Sequence, residues 1–337
     1  MESWVLPSAK AVKVDVESES WDGDYGALKA RIEQGVNSWD IVHVESQFVV
    51  DIDRSKLFHK LNFAYQRLES IEPELSGAVK ATLQDGYAIP VLQYGYVLAY
   101  REDQIPASKG AKLAWPALWD SEKYPGSCGL RDFPIGNIEV ALLSLGKSPE
   151  SSLYQSDLRP ADVQSAVEEA FARLDQLLTI RNIVWWKQGD ELQRGLTSGR
   201  MALAGAWSGR VYSAHTELCP DPSKDPEDCV LRLSSAEALV STDWWVIPKN
   251  APHAAAAEKI LVSLFQKDRV PSAANFSKKQ GYLVPVVDAL PNNDRAASHY
   301  LTAGSQKNPE AISLDDRFWS ENYTWIADRW RLWRSKQ

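Results

Sequence analysis

The sequence predicts a two-lobed α/β protein, and three observations predict it. The chain has 337 residues, more than one hydrophobic core ordinarily holds, and chains of that size tend to divide in two. Short apolar runs of strand length alternate with stretches of helical spacing along most of the sequence, as in an α/β sheet protein. The 44% apolar and 24% charged residues are those of a globular chain rather than a disordered one.

Taken in order, residues 11–17 alternate apolar and polar side chains and predict a strand. Residues 25–34 place Leu28 and Ile32 four apart ahead of Gly35, a helix with its stop. Residues 39–44 predict a second strand, ending in Glu45, Ser46, Gln47 and Phe48. Strand, helix and strand with short joints predict a right-handed parallel unit. Ligands of open α/β sheets gather beyond the carboxyl ends of such strands, where Ser46 and Phe48 fall.

Residues 49–59 read as a short helix and turn, and 68–79 as irregular or weakly helical. Residues 86–100 read as two consecutive strands around a central glycine, the second passing from one lobe toward the other. Residues 115–119 form a helical turn and 129–132 a strand end. Helices follow over 138–146 and 160–178, the second with Val163, Val167, Phe171, Leu174 and Leu178 on one face. Strands over 183–186 and 201–207 flank a helix over 190–198, and another helix covers 210–215. Residues 252–266 and 315–333 are helical, with a turn over 281–285.

A net charge of −8 argues against a nucleic-acid partner. No run of about 20 apolar residues occurs, and the N-terminus has neither the basic stretch nor the apolar stretch of a leader. Either the protein is cytosolic or a leader has been removed. Cys219 and Cys229 bracket a polar loop; they are either bridged in an oxidising compartment or two unrelated thiols. Cys128 is left over. The five histidines are scattered at 43, 59, 215, 253 and 299, and neither a metal-ligand spacing nor a nucleotide or nucleophile motif appears. No catalysis, cofactor or metal is expected.

Tryptophan is plentiful, 14 against 8 Phe, which suits a grip on a flat or cationic small molecule and suits a packed core as well. Asp243, Trp244 and Trp245 concentrate this pattern. A carboxylate against indole faces receives an organic cation through charge pairing and cation–π attraction. The alternative reading makes Asp243 a strand-end acid and both indoles core.

Several segments, taken together, carry a family resemblance. Gly35 followed by Trp39-Asp40-Ile41-Val42, Leu153-Tyr154 ahead of Ala170-Phe171-Ala172-Arg173-Leu174-Asp175, and Trp185-Trp186-Lys187-Gln188-Gly189 are three of them. Gly199 to Ala202 running on to Trp207-Ser208-Gly209-Arg210, and the Asp243-to-Lys249 segment, are the others. Over residues 12–291 the chain resembles the solute-binding proteins of bacterial ABC importers, most closely the spermidine/putrescine-binding branch. The resemblance implies a two-lobed periplasmic-binding-protein (type II) fold with a hinge and an inter-lobe ligand cleft. It implies lobe 1 over 1–98 and 239–303, with its first strand absent, and lobe 2 over 99–238. Residues 304–337 would form a helical segment packed on a lobe.

The implied ligand residues are Ser46, Phe48, Trp207, Asp243, Trp244 and Tyr282, with Asp243 on the ammonium and Trp207 and Trp244 as aromatic walls. Ser46 and Tyr282 also fit ordinary turn or packing roles. The implied protein is a periplasmic monomer whose leader is not present in this chain. It would capture a small organic cation, polyamine-like, and deliver it to an inner-membrane ABC permease. One departure matters. Polyamine binders carry acids just after the strand that ends at Arg131 and Asp132, where this chain aligns Phe133 and Gly136, with Asp132 and Glu139 nearby. That leaves room for a monocation or an amino-acid-like or sugar-like solute. An enzyme on the same scaffold, or a sensor docked on a signalling partner, is the alternative class.

Overall fold

The protein is described here from a computed structural model, which covers residues 3–337 except 20, 22, 24, 64–66, 72–74, 76, 222–224 and 287–294. Seven strands occur among the described residues: β1 (Val42–Glu45), β2 (Ala88–Arg101), β3 (Cys128–Arg131), β4 (Ile183–Trp186), β5 (Leu203–Trp207), β6 (Leu231–Val246) and β7 (Ile312–Ser313). The helices of the first half are α1 (Val5–Ala11), α2 (Tyr25–Glu33), α3 (Ser46–Val49), α4 (Arg54–Leu57), α5 (Gly77–Asp85), α6 (Asn137–Leu143) and α7 (Pro149–Ser152). Those of the second half are α8 (Pro160–Ile180), α9 (Gly189–Thr197), α10 (Ser208–Leu218), α11 (Ala254–Leu264), α12 (Val270–Gln280), α13 (Arg295–Ala303) and α14 (Asp316–Arg334). None of the described helices is long and apolar enough to cross a membrane.

The chain divides into two compact units. Unit 1 is Met1–Tyr94 with Ser241–Asn292, and unit 2 is Gly95–Val240 with Asn293–Gln337. β2 and β6 each run from one unit into the other, and the strand order is β1-β6-β2-β5-β3-β4 with β7 against β6.

In unit 1, β1 lies antiparallel on the C-terminal end of β6. The N-terminal residues do not form the expected strand over 11–17. Val12, Val14 and Val16 are partly buried while Lys13, Asp15 and Glu17 are exposed, so the alternation is real. The backbone N–H groups of Val12 and Val14, however, return to Ala9 O at 3.1 and 3.0 Å, and Lys13 takes φ 57°. That spends the first donors of the expected strand on the end of α1. Trp4, just before α1, is buried with its indole N–H on Leu264 O at 3.1 Å and its ring 5.8 Å from Phe265. Among the described residues no strand precedes β1, so the predicted parallel unit does not form there.

β2 is one strand, not two. All of its residues are buried, and Gly95 continues it because a Cβ there would meet Gly304 Cα at 2.8 Å. The glycine marks a close backbone approach rather than a break.

In unit 2, β3 pairs in parallel with both β4 and β5, and β5 runs antiparallel to β2. The amphipathic α8 packs against α6, with Val167, Ala170, Phe171, Leu174 and Leu177 buried. The Cys219–Cys229 disulfide is formed, joining the end of α10 to the approach to β6, and Cys128 is buried and free.

Candidate solute-binding residues

In unit 1 the ladder register assigns faces. Glu45 stands opposite Asp243, His43 opposite Trp245, and Val44 opposite Trp244. Side chains alternate along a strand, so Glu45, His43, Asp243 and Trp245 share one face while Val44 and Trp244 share the other. The structure therefore brings Asp243 together with Trp245 and separates it from Trp244.

On the polar face, His43 Nε2 lies 2.9 Å from Asp243 Oδ2. The imidazole is tilted against Trp245, with ring centroids 5.3 Å apart. Two carboxylates directly opposite each other repel. Gln47 Nε2 donates to Glu45 Oε2 at 2.9 Å, and His43 engages Asp243.

Trp244 is a core residue, 1% exposed. Its indole N–H donates to Ser46 Oγ at 2.9 Å, so Ser46 and Trp244 meet as a buried pair. Ser46 opens α3, and Phe48 on the same helix stacks on Tyr25 at 4.0 Å and 11°. Tyr282 follows Gly281, which caps α12, and is partly buried.

In unit 2, the parallel strands β3, β4 and β5 end at Arg131, Trp186 and Trp207, the carboxyl edge where open sheets bind ligands. Arg131 lies between two rings, its guanidinium carbon 4.2 Å from the Phe133 centroid and 4.7 Å from that of Trp207. Trp207 in turn meets Trp186 edge-on at 4.9 Å.

The backbone under this shelf is pinned. Asn137 Nδ2 donates to Arg131 O at 2.7 Å and to Phe133 O at 2.8 Å. Tyr96 O–H donates to Asn137 Oδ1 at 3.2 Å and accepts from Arg131 N at 3.4 Å. Gly136 sits in the left-handed region at φ 90°, against the Tyr96 ring, so the loop turns tightly into α6. An arginine set against two rings and fixed at its main chain presents a fork suited to a carboxylate.

The two acids near Arg131 are engaged by other protein groups. Asp132 Oδ1 accepts from Trp330 Nε1 at 3.1 Å and Arg334 Nε at 2.9 Å, and Lys187 Nζ lies 3.7 Å from its Oδ2. Burial pushes the Asp132 carboxyl up, but these hydrogen bonds and charges outweigh it and hold it below the usual range. Glu139 is fully buried and accepts from Gly136 N at 2.8 Å, Tyr154 O–H at 2.8 Å and Trp319 Nε1 at 2.7 Å.

Reading the sequence alone missed His43, Arg131 and Asn137 as site residues. His43 was legible as a polar residue within a predicted strand. Arg131 was legible as a charge at a strand's carboxyl end. No pattern pointed to Asn137, whose partners lie on β2 and on the turn after β3. Burial pushes the Cys128 thiol up to about 12. Among the described residues no cluster of His, Cys, Asp and Glu could hold a metal ion.

Residues 8–310 match the bacterial extracellular solute-binding proteins as a family. A gamma-aminobutyric acid-binding protein of Pseudomonas aeruginosa is 25% identical over 335 residues, covering 99% of this chain and 87% of that protein. Among solved structures, the binding protein MotA from A. tumefaciens B6 in complex with glucopine aligns with a TM-score of 0.78 at 18% identity, over 99% of this chain and 94% of that one. The spermidine/putrescine substrate-binding protein PotD from Streptococcus pneumoniae aligns with a TM-score of 0.66 at 19% identity, over 98% and 95%. These structural likenesses establish the two-lobed binding-protein fold, and the expected resemblance to spermidine/putrescine-binding proteins holds at that level. The named relatives are associated with unlike solutes, so the choice of solute is argued from the residues.

Proposed function

Since the chain belongs to the bacterial extracellular solute-binding proteins and is the solute-binding component of an ABC transporter, we propose that its solute is a small zwitterion. The class is an ω-amino acid of the γ-aminobutyrate kind, with an ammonium at one end and a carboxylate at the other. The observation that carries this reading is Arg131, stacked between Phe133 and Trp207 at the carboxyl end of β3. A diamine needs an acid there. Asp132 and Glu139 are each held by several protein donors, while the guanidinium is a fork for a carboxylate. Asp243, with Glu45 opposite it, takes the ammonium, and Trp207 supplies an aromatic wall. The gamma-aminobutyric acid-binding relative supports the same class.

In this reading the two units are the two lobes. Ser46 and Trp244 support the Asp243 strand from its core face, and Phe48 supports it from α3. Tyr282 lines the solute. The protein works in the periplasm as a monomer without cofactor, a compartment consistent with the Cys219–Cys229 bond, and hands its solute to an inner-membrane permease.

Calorimetry with γ-aminobutyrate, putrescine and spermidine tests the proposal. γ-Aminobutyrate is expected to bind and to lose about 2–5 kcal/mol on Arg131→Met. Tighter binding of putrescine or spermidine, unaffected by Arg131→Met, would overturn it and restore the polyamine reading.

A further inference from the structure

A second arginine stands at the carboxyl edge of the unit 2 strands. Arg210 lies in the first turn of α10, three residues after Trp207 ends β5. Its side chain packs on Gly189, the first residue of α9, the helix that follows β4. A Cβ on Gly189 would stand 2.3 Å from Arg210 Nε and 2.9 Å from its guanidinium carbon. β3 lies between β5 and β4. The contact therefore joins the two segments that flank the end of β3, where Arg131 sits.

Arg210 is half-buried, and its Nε is enclosed without an acceptor. Among the described residues no hydrogen bond or ion pair engages its guanidinium. The acids in the first turn of α9 are committed elsewhere. Glu191 accepts from Lys187 N at 2.7 Å and Gln188 N at 3.0 Å, and Asp190 pairs with Arg194 at 2.7 Å. A guanidinium is always charged and carries five donors, and partial burial without an anion is unfavourable for it. The start of a helix favours an anion over a cation, so Gly189 does not relieve that charge. An anion from outside the chain does.

We propose that Arg210 is a specificity-determining residue, the second guanidinium on the carboxylate of the solute. Arg131 and Arg210 share that carboxylate, and Gly189 is small so that the Arg210 fork can lie against it. The inference rests on the reading that the solute is a zwitterion whose carboxylate meets Arg131. It narrows the solute class, because two guanidiniums select an ionised acid over its neutral amide, which leaves both charges unpaired.

The test is calorimetry on the full chain and its Arg210→Met and Gly189→Ala variants, with γ-aminobutyrate and with γ-aminobutyramide. The amide keeps the ammonium and removes the negative charge. Arg210→Met is expected to weaken γ-aminobutyrate about ten- to a hundredfold, the worth of a charge-assisted hydrogen bond. It is expected to change the amide by less than about threefold, since the amide never had that pairing. Gly189→Ala keeps the guanidinium and displaces it. The atoms a Cβ would meet belong to the flexible Arg210 side chain, so the urea midpoint is expected to hold while γ-aminobutyrate weakens by more than about threefold.

Arg210→Met or Gly189→Ala binding γ-aminobutyrate as tightly as the parent overturns the inference, as does an Arg210→Met loss that the amide shares in full. In each of these cases the zwitterion reading stands if Arg131→Met still weakens γ-aminobutyrate. No binding of γ-aminobutyrate to the parent, or binding untouched by Arg131→Met, overturns the reading itself.

Discussion

In unit 1 the charged residues sit on a two-strand ladder, and their partners are close by: His43 across the ladder for Asp243, and Gln47, two residues on in α3, for Glu45. In unit 2 the charged residue sits at the end of a parallel strand. Its surroundings come from four places in the sequence: Tyr96 on β2, Asn137 on α6, Trp207 on β5, and α14. That last helix holds Asp132 through Trp330 and Arg334 and touches Phe133 through Tyr323 at 5.8 Å. The same helix anchors its start through Trp319 on Glu139 and its end through Trp333 on Asp175.

The difference teaches where rigidity comes from. A ladder fixes its cross-strand pairs as soon as register is set. A strand end lacks that support, so unit 2 uses stacked rings and indole-to-carboxylate hydrogen bonds instead. Its arginine shelf is therefore coupled to the packing of the C-terminal helix.

The largest expected effect tests that coupling. Trp330 is 3% exposed and packs on Phe171, Trp185 and Trp333. Trp330→Ala should cost about 3–5 kcal/mol in urea unfolding and weaken γ-aminobutyrate binding at the same time. Asp243→Asn should separate the two measurements. It should cost about 2–5 kcal/mol of binding by calorimetry with a small change in unfolding. Equal losses of stability in both variants would erase the distinction between the units.

Ser46→Ala probes the core side of the unit 1 ladder. It leaves the Trp244 indole N–H without its acceptor and should cost about 1–3 kcal/mol of stability.

Acid separates the units differently. Asp132 is held below the ordinary carboxylate range, so its share of stability is complete above about pH 4 and is lost as pH falls through its lowered value. Tryptophan emission from α14 should therefore change on acidification, and Asp132→Asn should remove that step. The smallest effect belongs to the exposed fastening of α14. Glu168→Gln breaks its pair with Arg329 and should cost no more than about 0.5 kcal/mol.

Much of this was legible beforehand where a pattern is local. The apolar spacing of residues 160–178 gave α8, and the strand ends at Arg131, Trp186 and Trp207 followed from short apolar runs with their stops. Alternation was a weaker guide. It was present over residues 11–17, yet the backbone donors there closed onto α1. Where it was not followed it would have served: alternation puts Asp243 and Trp244 on opposite faces, as the structure does, and Trp244 is core rather than a wall beside Asp243. Gly95 resembled a break and serves as a crossing point for Gly304.

What the sequence by itself determined is most of the helices, the short strands that end at Arg131, Trp186 and Trp207, the two-unit size and the charge at those strand ends, because periodicity and helix stops act over a few residues. The tertiary structure alone decided which groups meet those charges. His43 reaches Asp243 only because β1 pairs with β6 in one register. Arg131 is flanked by Phe133, 2 residues on, and Trp207, 76 residues on, only because β3 and β5 lie side by side. Such pairings depend on long-range register and burial, which no local pattern encodes.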